Sequence, residues 1–160
     1  MKPKTFNILS LFIFFCTLSF YTTAQEMTNT KIGEVVQELT DTVAGSDGFW
    51  ELTINDMKLT IISDEANNRM RIITPIAYLT DIDGNMLKKA MEANFHRALD
   101  IKYCVSDEIM WSAYIHPLKE LSEDQLKDAI AQVYFGSLTF GGSYSSTNLT
   151  FPKSTEPRSE

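Results

Sequence analysis

The sequence predicts an α+β fold, a single antiparallel sheet with helices packed on it, in the order α-β-β-β-α-β-β-α. Two observations carry this expectation. Apolar residues recur first at helical spacing, then at every second position, then at helical spacing again. The period-two runs are separated by only a few turn residues, which joins them as hairpins rather than as parallel crossovers.

The first helical stripe is Ile32, Val35, Val36, Leu39 and Val43, with Gly45, Asp47 and Gly48 stopping it. Trp50, Leu52 and Ile54 then alternate with Glu51 and Thr53, the pattern of a half-buried strand. Asn55-Asp56 turns the chain into a second strand through Leu59 and Ile61, and Asp64 to Asn68 turns it into a third. That third strand runs from Met70 to Tyr78, and Pro75 has to sit at an edge, a bulge or the strand's end.

A second helix follows, with Leu87, Ala90, Met91, Phe95 and Ala98 on one face and Asp83 or Asn85 as its cap. Ile101, Tyr103 and Val105 form the fourth strand, and Ser106-Asp107-Glu108 turns it into a fifth on Ile109, Trp111, Ala113 and Ile115. The last helix carries the strongest local signature. Ser122 and Gln125 fit a capping box, with Leu121 and Leu126 as its hydrophobic staple.

The ends of the chain read differently. Lys2 and Lys4 precede an apolar run from Ile8 to Phe20 and a small-residue exit at Thr22-Thr23-Ala24, which predicts a cleaved signal peptide over 1–24. The run is shorter than the roughly 20 apolar residues a spanning helix needs. Export to the periplasm or the exterior is therefore expected, with no stable membrane insertion after cleavage. Residues 25–30 read as a polar leader, 31–140 as one domain, and 141–160 as a flexible polar tail.

Losing Lys2 and Lys4 takes the basic side chains from 14 to 12 against 21 acidic ones, and the formal charge from −7 to −9. Such a surface repels phosphate backbones, which argues against nucleic-acid binding. Of the two cysteines only Cys104 remains, so no internal disulfide staples the domain.

This order of elements resembles the YbjN family of bacterial sensory-transduction regulators, whose fold is shared with type III secretion (Tir-type) chaperones. The resemblance covers about residues 30–138. It is carried by Gly48-Phe49-Trp50, by the meander ending near Ile72-Ile73, by Leu87-Lys88-Lys89-Ala90-Met91-Glu92-Ala93-Asn94-Phe95, and by the segment from Leu118 to Leu126. It implies a non-catalytic binding module whose fold relatives dimerise and hold extended peptide segments. The export signal sets this chain apart from the secretion chaperones, which work in the cytosol.

No residue set points to catalysis, a cofactor or a metal. Cys104 has only His96 and His116 as candidate bases, and the chain order places neither beside it. Asp81, Asp83, Asn85 and Glu92 fall at positions one, three, five and twelve of a calcium loop, but Met86 stands where the loop requires glycine. A turn and a helix cap explain them better.

The aromatic residues remain. Trp50 and Trp111 share the parity of the apolar positions and are expected in the core. Phe49, Ile62, Ile73, Met110 and Tyr114 fall on the opposite parity, and together they would make an apolar strip on an open sheet face, a partner-binding site. The expected function is thus an exported module that binds a protein or extended peptide, as a homodimer, with a regulatory or chaperone-like role. The alternative is a small-molecule or lipid carrier in the bacterial envelope, its cavity lined by Met70, Met91 and Phe95.

Overall fold

Three two-residue turns organise the sheet. Asp47-Gly48, Asn55-Asp56 and Asp107-Glu108 each hold two consecutive residues at positive φ, the conformation whose twist matches a tight antiparallel hairpin. In the first of these, a Cβ on Gly48 would lie 2.7 Å from the Ser63 carbonyl oxygen, so glycine is required there.

The computed structural model describes residues 26–40 and 42–148. The expected signal peptide over 1–24 and residues 149–160 lie outside the described residues. The elements are α1 (Asn29–Leu39), β1 (Val43–Ser46), β2 (Phe49–Ile54), β3 (Met57–Asp64), β4 (Arg69–Tyr78), α2 (Gly84–His96), β5 (Lys102–Ser106), β6 (Ile109–His116) and α3 (Glu123–Leu138). A short 3-10 turn, Leu79–Asp81, links β4 to α2. The strands form one antiparallel six-stranded sheet in the order β1-β2-β3-β4-β6-β5.

The α+β class and the single antiparallel sheet are as expected, with one strand more. Val43, expected on the first helix, opens β1 instead. Helix α1 stops at Leu39 because Thr40 turns extended (φ −157°) and its hydroxyl bonds to the Thr53 carbonyl. The Thr53 amide in turn bonds to the Thr42 carbonyl, so the chain is already in the sheet's register before Val43.

The three helices cover one face of the sheet. Helix α3 crosses β3, β4 and β6, α1 lies against β1 and α3, and α2 lies beside β5. Between helices and sheet sit Trp50, Leu52, Leu59, Ile61, Ile72 and Tyr103, all buried. Gly136 allows α3 close approach, since a Cβ there would lie 2.8 Å from Ile101 Cδ1. The Tyr103 hydroxyl donates to the Gly136 carbonyl at 2.8 Å, and burial pushes its pKa up to about 12.

The expected capping box of α3 is present in both directions, with Gln125 N donating to Ser122 Oγ and Ser122 N to Gln125 Oε1. Asp83 caps α2 by accepting from Met86 N at 2.7 Å. Pro75 lies at a register shift between Pro75 and Ala77, which absorbs its missing donor inside a central strand.

The packed chain reaches further at both ends than the expected boundaries. Met27 is buried and Thr28 caps α1, so part of the expected leader belongs to the domain. Tyr144 and Ser146 are buried beyond position 140. Tyr144 packs edge-on to Tyr103 and Phe140, and Ser146 Oγ donates to the Ala98 carbonyl.

Helix α2 meets the sheet with a different face than its apolar spacing predicts. Ala90, Ala93 and Ala98 are buried, while Leu87, Met91 and Phe95 are exposed. The small side chains allow the helix to sit close to β5, and Asn94 fixes it there. Its amide donates to the Tyr103 carbonyl and its oxygen accepts from the Tyr103 amide, in the place of a neighbouring strand.

Candidate functional site: the open face of the sheet

The face of the sheet turned away from the helices is crossed by rows of directly paired residues. Phe49 pairs with Ile62, Ile62 with Arg71 and Arg71 with Ile115, so one row runs Phe49–Ile62–Arg71–Ile115 across β2, β3, β4 and β6. The next row is Glu51–Thr60–Ile73–Ala113–Lys102. In a third, Pro75 pairs with Trp111 and Trp111 with Cys104. Neighbouring strands stand about 4.8 Å apart, so the first row spans roughly 14 Å.

Large apolar side chains of this face are exposed around Arg71. Phe49 is 47% accessible, Ile62 39% and Ile115 66%, with Ile73 and Trp111 half-buried beside them. Exposed apolar side chains gathered in this way mark an interaction site more often than an isolated exposed leucine does.

Of the five residues expected here, Phe49, Ile62 and Ile73 are in place. Met110 and Tyr114 are not. Both are buried on the helix side, where Tyr114 pairs with Ile72 and stacks on His116. Strand β6 has apolar residues of both parities, and its pairing with β4 decides between them. Because Ile72 faces the core, its partner Tyr114 faces the core too, and Ile73 and Ala113 face out. Trp111, expected in the core, consequently lies on the open face, its indole Nε1 donating to the Ser106 carbonyl. Sequence reasoning thus missed Trp111 and Ile115, which take the places of Met110 and Tyr114.

No protein-family model and no curated protein sequence matches this chain. Solved structures do. A chain of the HopA1–SchA chaperone–effector complex superposes with a TM-score of 0.54 at 18% identity, over 67% of this chain and 87% of that one. A chain of the Yersinia pestis type III secretion chaperone SycH, in complex with a stable fragment of YscM2, gives 0.55 at 13% identity, over 70% of this chain and 98% of that one. This chain has the fold of type III secretion chaperones. At these identities the likeness is one of fold.

The chemistry-bearing side chains are placed in structural roles. Cys104 is exposed on β5, and burial by its neighbours pushes its thiol up while Arg71 pulls the other way, so the thiol form prevails. His116 Nδ1 lies 2.7 Å from the Pro117 carbonyl oxygen. His96 stands edge-on to Phe95. Glu92 pairs with Lys88 along α2 at 3.7 Å and does not join Asp83 at the helix start. Among the described residues no three histidine, cysteine or acidic side chains gather as metal ligands.

The expected carrier cavity is corrected as well. Met70 is buried in the core while Met91 and Phe95 point outward from α2, so the three line no common cavity. A recess of about 480 Å³ does occur on the helix side, among Leu39, Ile54, Ile130, Tyr134 and Phe135.

Proposed function

We propose that this chain is an exported, non-catalytic module that binds a protein partner on the open face of its sheet, with a regulatory or chaperone-like role. The observation that carries the reading is the exposed row of Phe49, Ile62 and Ile115, with Trp111 beside it. The fold neighbours support a protein partner, since both were solved as chaperone complexes with another protein. Export rests on residues 1–24 and kinship with YbjN-like regulators on the segments around Gly48, Leu87 and Leu118.

Magnitudes show what the face can and cannot supply. Fully burying an isoleucine or phenylalanine is worth about 1.5–3 kcal/mol, so covering these part-exposed side chains gains about 1 kcal/mol each. Association costs roughly 4–15 kcal/mol. The apolar row therefore needs help from polar contacts. Edge pairing is one source. Asn94 occupies the β5 edge at Tyr103, which leaves β1, at the far side of the sheet, as the edge for an added strand.

The same proposal includes a homodimer, formed through α2. Leu87, Met91 and Phe95 recur at four-residue spacing on its outer side, Phe95 with 86% of its surface exposed. An antiparallel pairing of two such helices about Met91 sets Leu87 against Phe95 of the second copy. It also brings Lys88 near the second copy's Glu92, a complementary charge.

Cys104 offers a native reporter for the partner face, because it is the only thiol after residue 24 and lies opposite Trp111. Residues 25–160 bound to a protein captured from an envelope extract should alkylate with iodoacetamide at least several-fold more slowly than the free chain. Equal alkylation rates would place the partner elsewhere and refute the reading.

A further inference from the structure

The open face differs in charge from the rest of the molecule. Its outward positions carry Lys58, Arg69, Arg71 and Lys102 against Glu51 and Asp64, in a chain whose formal charge is −7. Asp64 is engaged by both the backbone and side-chain nitrogens of Asn67. Lys102 folds onto the carbonyls of Leu99 and Ile101, and Arg69 onto that of Asn68.

Arg71 and Lys58 are left: the side chain of neither makes an ion pair or hydrogen bond among the described residues, and of the two only Arg71 stands in the row with the exposed isoleucines. Its row neighbours are Ile62 on one side and Ile115 on the other, both exposed. A cation held between two apolar side chains is poorly served by water once a partner covers them, and a guanidinium then asks for a planar anion.

We propose that the segment bound on this face presents a carboxylate, flanked by apolar side chains, to Arg71. The proposal rests on the partner-face reading above and names the chemistry of the partner. Three features fit together. Arg71 is free to form a two-pronged bond to a carboxylate, Ile62 and Ile115 provide apolar contact on both sides, and the excess of positive charge makes this face attractive to an acidic segment. Elsewhere the acidic surface repels the same segment, which confines it to the open face.

The test uses residues 25–160 and two fluorescein-labelled synthetic peptides of fourteen residues or so, one alternating leucine with glutamate and serine, the other with each glutamate replaced by glutamine. Anisotropy titrations at about 0.15 M salt give the affinities. The glutamate peptide should bind at least tenfold more tightly than the glutamine peptide. Arg71→Glu should remove that advantage and instead favour a lysine version of the peptide. Arg71 is exposed, so this variant keeps its thermal melt, which circular dichroism verifies.

Equal binding of the two peptides by the native chain overturns the carboxylate assignment and leaves the partner face standing. A glutamate preference that survives Arg71→Glu overturns the assignment to Arg71. Failure of all the peptides to bind overturns the proposal and the partner-face reading together.

Discussion

Replacing Trp50 with alanine should destabilise the domain by about 3–5 kcal/mol, whereas Trp111→Ala should cost no more than about 1 kcal/mol. The two tryptophans sit on opposite faces. Trp50 is 4% exposed, on the helix side of β2, with α1 crossing over it so closely that a Cβ on Gly33 would lie 3.5 Å from the indole nitrogen. Its removal leaves a cavity that helix and sheet cannot collapse together. Domains of this size have only about 5–15 kcal/mol of stability, so Trp50→Ala consumes a large part of it. Trp111 faces outward and is only half-buried. Urea unfolding followed by circular dichroism measures both. Equal losses would mean that the faces of β6 are assigned the wrong way round.

Phe95→Glu should convert a dimer into a monomer without loss of stability. Because Phe95 is almost fully exposed in the single chain, glutamate there removes only the edge-on contact with the neighbouring His96 ring. In the proposed helix pair it would bury a charge against Leu87 of the second copy, at a cost of several kcal/mol that cannot be met by the few apolar contacts of one helix. Light scattering on residues 25–160 should therefore read twice the chain mass for the native sequence and one chain mass for the variant. A native monomer, or a variant that still dimerises, would remove α2 from the account.

The hairpins were legible because their turns are written in residues that accept positive φ. Asn55-Asp56 and Asp107 do so, and the strands beside the first of these turns alternate. Ser122 and Gln125 marked the start of α3 for the same local reason. The short strand β1 was not legible. Val43-Ala44-Gly45-Ser46 has no alternation of its own, and it pairs only because the Asp47-Gly48 turn folds it back on β2.

The open face was legible in part. Phe49, Ile62 and Ile73 follow from strand parity, since each neighbours a strongly apolar residue that claims the core. In β6 both parities are apolar, and nothing local ranks Ile109, Trp111 and Ile115 below Met110 and Tyr114. Only the long-range pairing of Ile72 with Tyr114 decides it. A similar ambiguity misplaced the stripe of α2. Leucine, methionine and phenylalanine looked like core, but the approach to β5 selects the alanines, and the larger side chains are left outside.

The central claim is that the open face holds the partner, and one binding measurement separates it from every other surface. A partner captured from an envelope extract by residues 25–160 is titrated against the native chain, against Ile62→Asp/Ile115→Asp, and against Leu39→Asp/Phe135→Asp in the recess on the helix side. All four of these side chains are exposed, so the variants keep their fold. The account predicts a loss of about a hundredfold or more for the sheet-face variant, two buried charges costing roughly 3 kcal/mol or more, and native affinity for the recess variant. Native affinity in the sheet-face variant, with loss in the recess variant, would contradict it and move the site to the helices.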